Sequence, residues 1–418
     1  MNAVCDRPGG LLSLEVARSQ LLEALKPVDR AMNVPASQAL GRLLAHELIT
    51  PLDFPPFSNS AMDGYAVRAA DAVPGARLRM VGTVRAGAAP EHRLGSGECL
   101  RIFTGAPMPE GADAVVVQEL VASDGAWIQL NLTEPLIVGA NIRQQGEELR
   151  AGEPLLPQGA RLGPFELGLL AFAGIAEVRV QAPLRIGVLA TGDELIPPGQ
   201  VLARGQIYES NRPMLVGLIQ EMGHDAVDLG AVPDDFERLK EALSQGALGL
   251  DALITTGGAS EGEADFVAKA LKDLGEVSFW KVAVKPGKPF VFGRLGSVPV
   301  FGLPGNPVSS AIIFLKLVKP ALERLSGRGA QRAMTLRLPL QVGLRRQPGR
   351  QEFMRGRLIE ADQGLMVAPL AQQGSHRLTS MTRGDCLIVL PPDIRTLNAG
   401  EWVDVELFRP VSWPEEDA

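Results

Sequence analysis

The sequence contains few cysteines and no excess of positive charge, and both shortages exclude classes of protein. Its 3 cysteines, Cys5, Cys99 and Cys386, lie far apart and match no metal-ligand spacing, so we expect them to be reduced and structural. The formal net charge is −7 at pH 7. A nucleic-acid partner is therefore not expected, because phosphate backbones are bound by an excess of Lys and Arg.

Long apolar segments are also missing. No stretch approaches the roughly 20 uncharged apolar residues of a membrane-spanning helix, and the N-terminal segment MNAVCDRPGG lacks the basic-then-apolar pattern of a secretion signal. We therefore expect a cytoplasmic protein without a membrane partner. The composition that is present, 46% hydrophobic and 21% charged residues, is typical of globular proteins.

The length and the changing periodicity of apolar residues predict several domains. A chain of 418 residues exceeds what one hydrophobic core of about 100 to 150 residues supports. Helical spacing is predicted over 11–26 and around 36–48, followed by short apolar runs typical of strands. The expected divisions are 1–50 together with 147–182 as a helical region, 51–146 as a small β domain, 183–328 as an α/β domain, and 329–418 as a small β-barrel or sandwich.

Strands and helices alternate between 183 and 328, which predicts a parallel sheet with crossover helices. The expected strands are LRIGVLA, DAVDLGAV, DALITTGG and VPVFGLPG. Open α/β sheets bind ligands in the crevice beyond the carboxyl ends of their strands. The loops that follow these strands are therefore the first candidates for a functional site.

These loops are rich in carboxylates. The acidic residues that we consider as site candidates are Asp193 and Glu194 after the first strand, Asp234 and Asp235 after the second, and Asp265 after the glycine-rich loop TTGGASEGEA. Carboxylates gathered without Cys or His suit a hard cation such as Mg²⁺. Other roles remain open, because Asp234 or Asp235 can cap the next helix and Asp193 can form a turn. A functional role is favoured for Asp265, because it follows the glycine-rich loop at the point where a helix N-terminus would present N–H groups to an anion.

Common nucleotide-binding patterns are absent from the sequence, and basic residues are concentrated in another segment. The Gly257-Gly258 loop lacks the Gly-Lys-Ser/Thr of a P-loop, and no G-x-G-x-x-G pattern follows a strand. Lys285 and Lys288, in KPGKP, suit phosphate or another oxyanion as point charges, and a surface turn with solvated lysines is the alternative. The segment LPGNP leads into a helix and offers N–H groups, although turn chemistry alone explains its composition.

Several segments taken together resemble one protein family, although NSAMDGYAV and TGAP by themselves indicate only turns. The matching segments are NSAMDGYAV, RIFTGAPMPEGADAVV, GANIRQQGEEL, TGDEL, GQIYESN, TTGGASEGEADF, VKPGKPFVFG and GLPGNPVSSA. In this order they resemble the molybdopterin molybdenumtransferase family, which includes the C-terminal part of gephyrin. The resemblance implies an α/β multidomain fold, in which a molybdopterin-binding parallel α/β domain accompanies an elongated helical connector, a small β domain and a C-terminal β-barrel. It also implies a homodimer with its active cleft at the subunit interface.

The resemblance also implies roles for individual residues in the matching motifs. The implied metal ligands are Glu194, Asp234 and Asp265. Catalytic roles are implied for Asp63, Thr104, Asp234, Asp265 and Lys285, with Asp63 and Thr104 supplied to the cleft by the other subunit. Substrate binding is implied for Glu148, Gly257, Gly258, Ser260, Lys288, Pro304, Asn306, Pro307, Arg350 and Ser375.

The activity implied by the resemblance is that of a molybdopterin molybdenumtransferase. Such an enzyme uses Mg²⁺ to hydrolyse adenylylated molybdopterin and inserts molybdate into the dithiolene, which gives molybdenum cofactor and AMP. Expected partners are a second copy of the chain, a molybdopterin adenylyltransferase, and the apo-molybdoenzymes or their chaperones. The alternatives are a non-catalytic pterin-binding scaffold and a specialised paralogue, for example one that inserts tungstate.

Overall fold

The computed structural model describes residues 11–257, 266–328, 334–362 and 364–411. Within these ranges the chain is a mixed α/β protein with many short strands and few helices. The α-helices are α1 (Leu14–Ala24), α2 (Pro164–Phe172), α3 (Asn211–Glu221), α4 (Phe236–Gly246), α5 (Phe266–Leu274), α6 (Pro307–Ile313), α7 (Lys319–Leu325) and α8 (Thr379–Arg383). A π-helical segment, Phe314–Val318, joins α6 to α7.

The strands fall into several sheets. The first group is β1 (Ala31–Pro35), β2 (Leu48–Ile49), β3 (Asn59–Ser60), β4 (Gly64–Val67), β5 (Arg77–Val84), β6 (Glu98–Ile102), β7 (Ala114–Val117), β8 (Val121–Ser123), β9 (Trp127–Leu130), β10 (Ile142–Arg143), β11 (Pro154–Leu156) and β12 (Glu177–Gln181). The second is β13 (Arg185–Thr191), β14 (Leu195–Ile196), β15 (Ile207–Tyr208), β16 (Asp225–Val232), β17 (Ala252–Thr256), β18 (Glu276–Lys281), β19 (Val284–Lys285), β20 (Pro289–Leu295) and β21 (Val298–Leu303). The third is β22 (Thr335–Pro339), β23 (Leu344–Arg345), β24 (Gln351–Ala361), β25 (Gly364–Pro369), β26 (Cys386–Leu390), β27 (Thr396–Leu397) and β28 (Trp402–Leu407).

The chain divides into two compact units, and one of them is Asn33–Val180. Its main sheet has the order β7-β4-β6-β5-β9-β8, in which β5 and β6 are parallel and the other pairs are antiparallel. The apolar runs predicted to be strands form β5, β6, β7 and β9, so this part of the prediction is confirmed. The buried side chains of Val67, Leu78, Val116 and Ile128 pack together in the core beneath this sheet.

The prediction of a helix around 36–48 is wrong. The segment contains only the 3-10 turn Ala36–Gln38, after which Leu43 and Leu44 form isolated bridges with Arg161 and Val180. Gly41 adopts a φ of 77°. An α-helix cannot continue through a residue in that left-handed conformation, so the apolar residues that follow Gly41 pack in an extended conformation.

Helix α2 lies within 147–182, a segment that the sequence analysis assigned to the helical region. Proline occupies its first turn, where the missing N–H costs nothing. The Glu166 carboxylate accepts a hydrogen bond of 2.9 Å from the backbone N–H of Gly163, which stabilises the start of the helix.

The other unit comprises Met1–Met32 and Gln181–Ala418. Its largest α/β sheet has the order β16-β13-β17-β21-β20-β18. The predicted strands form β13, β16, β17 and β21, and they are parallel as expected. The sheet is nevertheless mixed, because β20 and β18 add to its edge in antiparallel register. A short turn at Gly296 joins β20 to β21, and such a connection allows only an antiparallel pair.

Helix α1 confirms the helical spacing predicted over 11–26. The Ser13 hydroxyl caps it by accepting a hydrogen bond of 3.2 Å from the Val16 N–H. Leu14, Ala17 and Leu21 are buried in the same core as the α/β strands. The division into a helical connector and three further domains stays a prediction, and α1 contributes to the unit that contains the α/β sheet.

A second large sheet in this unit has the order β19-β24-β26-β28-β22, with β25 paired to the end of β24. Strand β19 comes from the KPGKP segment and pairs in parallel with β24, so that Lys285 lies opposite Glu352. The sheet therefore joins this lysine segment to the C-terminal strands. Closure of the C-terminal strands into a barrel stays a prediction.

Candidate functional site

The carboxyl ends of three parallel strands approach one another closely at one edge of the α/β sheet. A Cβ atom on Gly257, which follows β17 with a φ of 91°, would lie 2.2 Å from the carbonyl oxygen of Thr191 at the end of β13. A Cβ on Gly305, after β21, would lie 3.6 Å from the Gly257 Cα. Only glycine permits this approach at 257, and the backbone of one loop therefore lines the next.

Asn211, at the start of α3, ties two of these strand ends together. Its amide nitrogen donates to Thr256 Oγ1 at 2.8 Å and to the Gly305 carbonyl at 2.7 Å. The Thr256 hydroxyl in turn donates to the Pro304 carbonyl at 3.2 Å. Asn211 is 8% exposed. Sequence analysis missed Asn211. The pattern that could have identified it is a polar residue placed at the start of a helix that follows a strand.

The two adjacent aspartates after β16 have different roles. Asp235 is the N-cap of α4, and its carboxylate accepts a hydrogen bond of 2.9 Å from the Arg238 N–H. Asp234 does not cap the helix, and its own N–H donates to the Asp193 carboxylate at 3.1 Å. The structure therefore assigns the capping alternative to Asp235 and brings Asp234 beside the loop after β13.

The electrostatics of this acidic cluster suit a cation. Desolvation raises the pKa of Asp234, and the negative charges of Asp193 and Glu194 raise it further. Among the described residues, no set of three or more His, Cys, Asp and Glu side chains is arranged to hold a metal ion. Glu194 and Asp234 carry carboxylate oxygens, and Mg²⁺ commonly binds one or two carboxylates together with substrate phosphates. The role of these two residues as metal ligands stays a prediction. Gly258, Ser260 and Asp265, which were predicted to join this site, lie outside the described residues.

The GNP turn after β21 is closed by a segment from the C-terminal part of the chain. Asn306 is the N-cap residue of α6, and Pro307 occupies the first turn of that helix. The Val308 N–H donates to the Ser375 carbonyl at 3.0 Å. One of the N–H groups expected to be available here is therefore already bonded, and Ser375 lies next to Asn306 and Pro307 as part of the same loop cluster.

The lysine segment packs beside this helix. A Cβ on Gly287, which has a φ of 119°, would lie 2.7 Å from the Ile313 side chain and 3.5 Å from the Ser309 carbonyl. The Lys288 carbonyl accepts a hydrogen bond of 3.0 Å from the Val282 N–H. The backbone on both sides of the two lysines is therefore fixed by contacts with α6 and within the loop.

Lys285 belongs to a cluster of charges that we name the cationic corner, formed by Lys285, Arg346, Arg350 and Glu352. Lys285 Nζ lies 2.9 Å from Glu352 Oε1, and Arg346 Nε lies 3.0 Å from Glu352 Oε2. An Arg350 guanidinium nitrogen donates weakly to the Val284 carbonyl at 3.4 Å. Sequence analysis predicted Lys285, Lys288 and Arg350 but missed Arg346 and Glu352.

The predicted site residues of the Asn33–Val180 unit form a separate cluster. The Asp63 carboxylate accepts hydrogen bonds from the Thr104 backbone N–H at 2.7 Å and from the Thr104 hydroxyl at 2.8 Å. These bonds lower the pKa of Asp63, and the charge of Arg101 adds to the effect. Arg101 stacks over the rings of Tyr65 and Phe103 at 4.9 and 5.2 Å. The result is a fixed, ionised carboxylate beside a cation.

Glu148 has a different setting in the same unit. Its backbone N–H donates to the Phe54 carbonyl at 3.0 Å, and its side chain is exposed. Among the described residues, no contact is seen between the Glu148 side chain and Asp63 or Thr104. Its predicted role in substrate binding stays a prediction.

Three family profiles match the sequence. They are "MoeA N-terminal region (domain I and II)" over residues 12–174, "Probable molybdopterin binding domain" over residues 187–324, and "MoeA C-terminal region (domain IV)" over residues 337–408. Together they cover most of the chain between residues 12 and 408.

Named relatives and a solved structure match along nearly the whole chain. A molybdopterin molybdenumtransferase of Haemophilus influenzae is 39% identical, over 95% of this chain and 99% of that protein. One of Synechococcus elongatus is 37% identical, over 94% and 99% respectively. The crystal structure of a molybdopterin biosynthesis moeA protein from Pyrococcus horikoshii OT3 superposes with a TM-score of 0.83 at 29% identity, covering 95% of this chain and 100% of that one. The chain therefore belongs to the molybdopterin molybdenumtransferase family, whose members are enzymes of molybdenum cofactor biosynthesis.

Proposed function

We propose that this protein hydrolyses adenylylated molybdopterin in a Mg²⁺-dependent reaction and transfers molybdate to the pterin dithiolene. The products are molybdenum cofactor and AMP. The observation that carries the proposal is the acidic cluster of Asp193, Glu194 and Asp234 at the carboxyl edge of the α/β sheet, where desolvation, and then the like charges of Asp193 and Glu194, raise the pKa of Asp234. A bound cation relieves that repulsion, so the cluster is better suited to binding a metal than to stabilising the fold.

Continuous contacts link the acidic edge to the cationic corner, and this continuity supports one site for both halves of the reaction. Gly257 lies against Thr191 on one side and against Gly305 on the other. The turn at Gly305 leads into α6, whose Ile313 contacts Gly287 between the two lysines. A substrate with a phosphoanhydride at one end and a dithiolene at the other suits such an extended surface.

The residues divide the chemistry between them. Lys285, Lys288 and Arg350 attract molybdate and hold it for the dithiolene, as point charges and a guanidinium suited to an oxyanion. Backbone groups at Gly257 and Pro304 line the pterin side of the cleft. When bound by Glu194 and Asp234, Mg²⁺ supplies positive charge that stabilises the phosphate oxygens as the anhydride is hydrolysed.

The proposal extends to assembly and location. We propose a homodimer in which Asp63 and Thr104 of one subunit complete the cleft of the other, working in the cytoplasm with a molybdopterin adenylyltransferase and with the apo-molybdoenzymes or their chaperones. The fixed carboxylate of Asp63, held by two bonds from Thr104, supports a role in positioning substrate or its water. Among the described residues, no helix is long and apolar enough to cross a membrane.

Release of AMP from adenylylated molybdopterin by the purified protein tests the proposal. We expect release to require Mg²⁺ and to be stimulated by molybdate, with tungstate as the comparison that shows which oxyanion is preferred. Sulfate at the same concentration is the control for ionic strength. Tight binding of the adenylylated pterin without release under any of these conditions contradicts the proposed hydrolysis.

A further inference from the structure

We propose that Glu352 is a positioning residue for the oxyanion site, because its carboxylate holds Lys285 Nζ in place and reduces the net positive charge of the cationic corner. The inference rests on the proposed function, in which Lys285 binds molybdate. Glu352 is 5% exposed, so its charge is carried inside the protein. A buried carboxylate has to be compensated, and here both neighbours are cations.

The backbone fixes the geometry of the pair. Strands β19 and β24 run parallel with Lys285 opposite Glu352, which places the two side chains next to each other. Glu352 Oε1 is 2.9 Å from Lys285 Nζ. Lys285 remains 45% exposed, so its ammonium group contacts the buried acid and solvent at the same time. An incoming oxyanion therefore meets an ammonium group whose position is already set.

Arg346 orients the other side of the Glu352 carboxylate. Its Nε lies 3.0 Å from Glu352 Oε2, and its side chain is 4% exposed. Another of its nitrogens donates to the Pro391 carbonyl at 2.6 Å, which anchors the guanidinium to the loop after β26. Arg346 Nε and Glu352 Oε2 form a close charge pair and not a hydrogen bond. Arg346 thus anchors the Glu352 carboxylate, and Glu352 in turn positions Lys285.

The charge balance gives Glu352 a second effect. Without it, the corner would consist of the cations Lys285, Arg346 and Arg350 and would contain no acid. Such a cluster binds a dianion tightly but does not fix any one ammonium group. Productive transfer requires the oxyanion to be placed accurately and then released to the dithiolene. Glu352 thus favours accurate placement over tight binding.

Glu352→Gln tests both effects, because it keeps the shape of the side chain and removes its charge. We expect the Kd for molybdate, measured calorimetrically on the purified protein, to fall by about threefold or more as the net positive charge rises. We expect kcat for AMP release to fall by at least about tenfold, because Lys285 is no longer held. A purely structural role would instead weaken binding and turnover together.

Asp385→Asn is the matched control. Asp385 is another acid of the same sheet region in an ion pair, lying 3.1 Å from Arg409, and its side chain is 14% exposed. Its removal tests whether loss of any semi-buried acid has the same effect. We expect its Kd for molybdate and its kcat to stay within about twofold of wild type, because its ion-pair partner is Arg409 and not a residue of the cationic corner.

A double-mutant cycle separates positioning from stability. In a Lys285→Gln background, Glu352→Gln should produce little further loss of kcat, because the ammonium group that it positions is gone. If the full loss persists there, or if folded Glu352→Gln keeps wild-type kcat, the proposal is overturned. Should Glu352→Gln fail to fold, Glu352→Asp keeps the charge and shortens the reach; we expect near-wild-type Kd with reduced kcat, and unchanged kcat overturns the positioning role.

The binding arm also distinguishes this proposal from the proposed function. Molybdate binding that tightens in Glu352→Gln, and not in Asp385→Asn, supports the charge effect even if no variant and no wild-type protein releases AMP. In that case the hydrolysis fails and the oxyanion site remains. If the wild-type protein releases AMP and Glu352→Gln has no measurable effect on Kd or kcat, the proposed hydrolysis stands and the role proposed for Glu352 fails.

Discussion

Asp234 and Asp235 are neighbours in sequence, yet only one of them stabilises the fold in the expected way. Asp235 satisfies an N–H group at the start of α4. Asp234 carries a charge beside two other carboxylates, and its raised pKa means that the folded state disfavours the ionised form. At neutral pH its ionisation therefore works against folding, which is the pattern expected of a residue kept for binding.

The first prediction concerns Asp234→Asn. Because folding raises the pKa of Asp234, the folded state favours its protonated form. The contribution of this residue to stability is therefore complete below its pKa in the unfolded chain, and it is lost as the pH rises through its pKa in the folded protein. The variant should therefore have a higher Tm than wild type at pH 7, and this advantage should vanish in acid. Mg²⁺ should raise the Tm of wild type but not of the variant, and AMP release should fall at least about a hundredfold.

Asp235→Ala is the control for that experiment. Loss of the cap should lower stability by about 1 kcal/mol while the response of Tm to Mg²⁺ remains. If the two variants respond to Mg²⁺ alike, Asp234 is not a ligand.

The second prediction concerns Thr104→Val. The pKa of Asp63 is lowered first by the Thr104 backbone N–H and then by its hydroxyl, and valine removes only the hydroxyl. The pKa of Asp63 should therefore rise part of the way to its ordinary value. We expect the acid limb of the pH–rate profile for AMP release to move to higher pH. A profile that keeps its acid limb would show that Asp63 ionisation does not limit the reaction.

At the scale of secondary-structure elements, the site depends on how closely the strand ends approach. The third prediction is that Gly257→Ala lowers stability by more than about 2 kcal/mol and abolishes activity, because its Cβ would lie 2.2 Å from a backbone oxygen. Gly205→Ala is matched, since Gly205 has the same φ of 91° with nothing within 4 Å of an added Cβ. It should cost only about 1 kcal/mol and leave activity intact. Equal effects in thermal unfolding would mean that φ, and not the close approach, requires glycine at 257.

The fourth prediction tests the place of α1. Leu21 is fully buried in the core shared with the α/β strands, so Leu21→Ala should destabilise the unit by about 2–5 kcal/mol. Val16, on the same helix, is 44% exposed, and Val16→Ala should change stability by less than about 0.5 kcal/mol. Urea unfolding followed by fluorescence measures both. A small effect at Leu21 would show that α1 is not part of that core.

The sequence predicted those elements that local patterns determine. The alternation of strands and helices predicted the four parallel strands. The acidic residues after β13 and β16 were identified as site candidates because the carboxyl ends of parallel strands meet at one edge of the sheet. The antiparallel strands β18 and β20 and the pairing of β19 with β24 were missed, since strand pairing depends on contacts distant in sequence. Glu352 had no local signal of this kind, because its partner Lys285 is distant from it in sequence.

At the scale of the whole molecule, the proposed catalytic residues lie in two compact units. Asp63 and Thr104 belong to Asn33–Val180, whereas Asp234 and Lys285 belong to the other unit. The β-domain residues carried no functional signal of their own in the sequence, because polar turns occur in every protein. Their proposed role rests on the family, and two hydrogen bonds from Thr104 to Asp63 hold these residues together.

The fifth prediction follows from the proposed homodimer. Lys285→Ala and Asp63→Ala should each lose most of their activity alone, and mixed heterodimers should recover up to about half of wild-type activity, because one of their two clefts is intact when subunits share a site. Mixed dimers confirmed by differential tags provide the measurement. Absence of recovery in those dimers would place both residues in a cleft formed by one chain.

The central claim is that cleavage of the phosphoanhydride and capture of molybdate occur together in this protein. The most direct measurement is the ratio of AMP released to molybdenum incorporated into pterin in a single reaction with Mg²⁺ and limiting adenylylated molybdopterin. The account predicts a ratio of about one, with both products lost in Asp234→Asn and Lys285→Ala. AMP release without molybdenum incorporation, or adenylylated pterin that stays bound and intact, would contradict it.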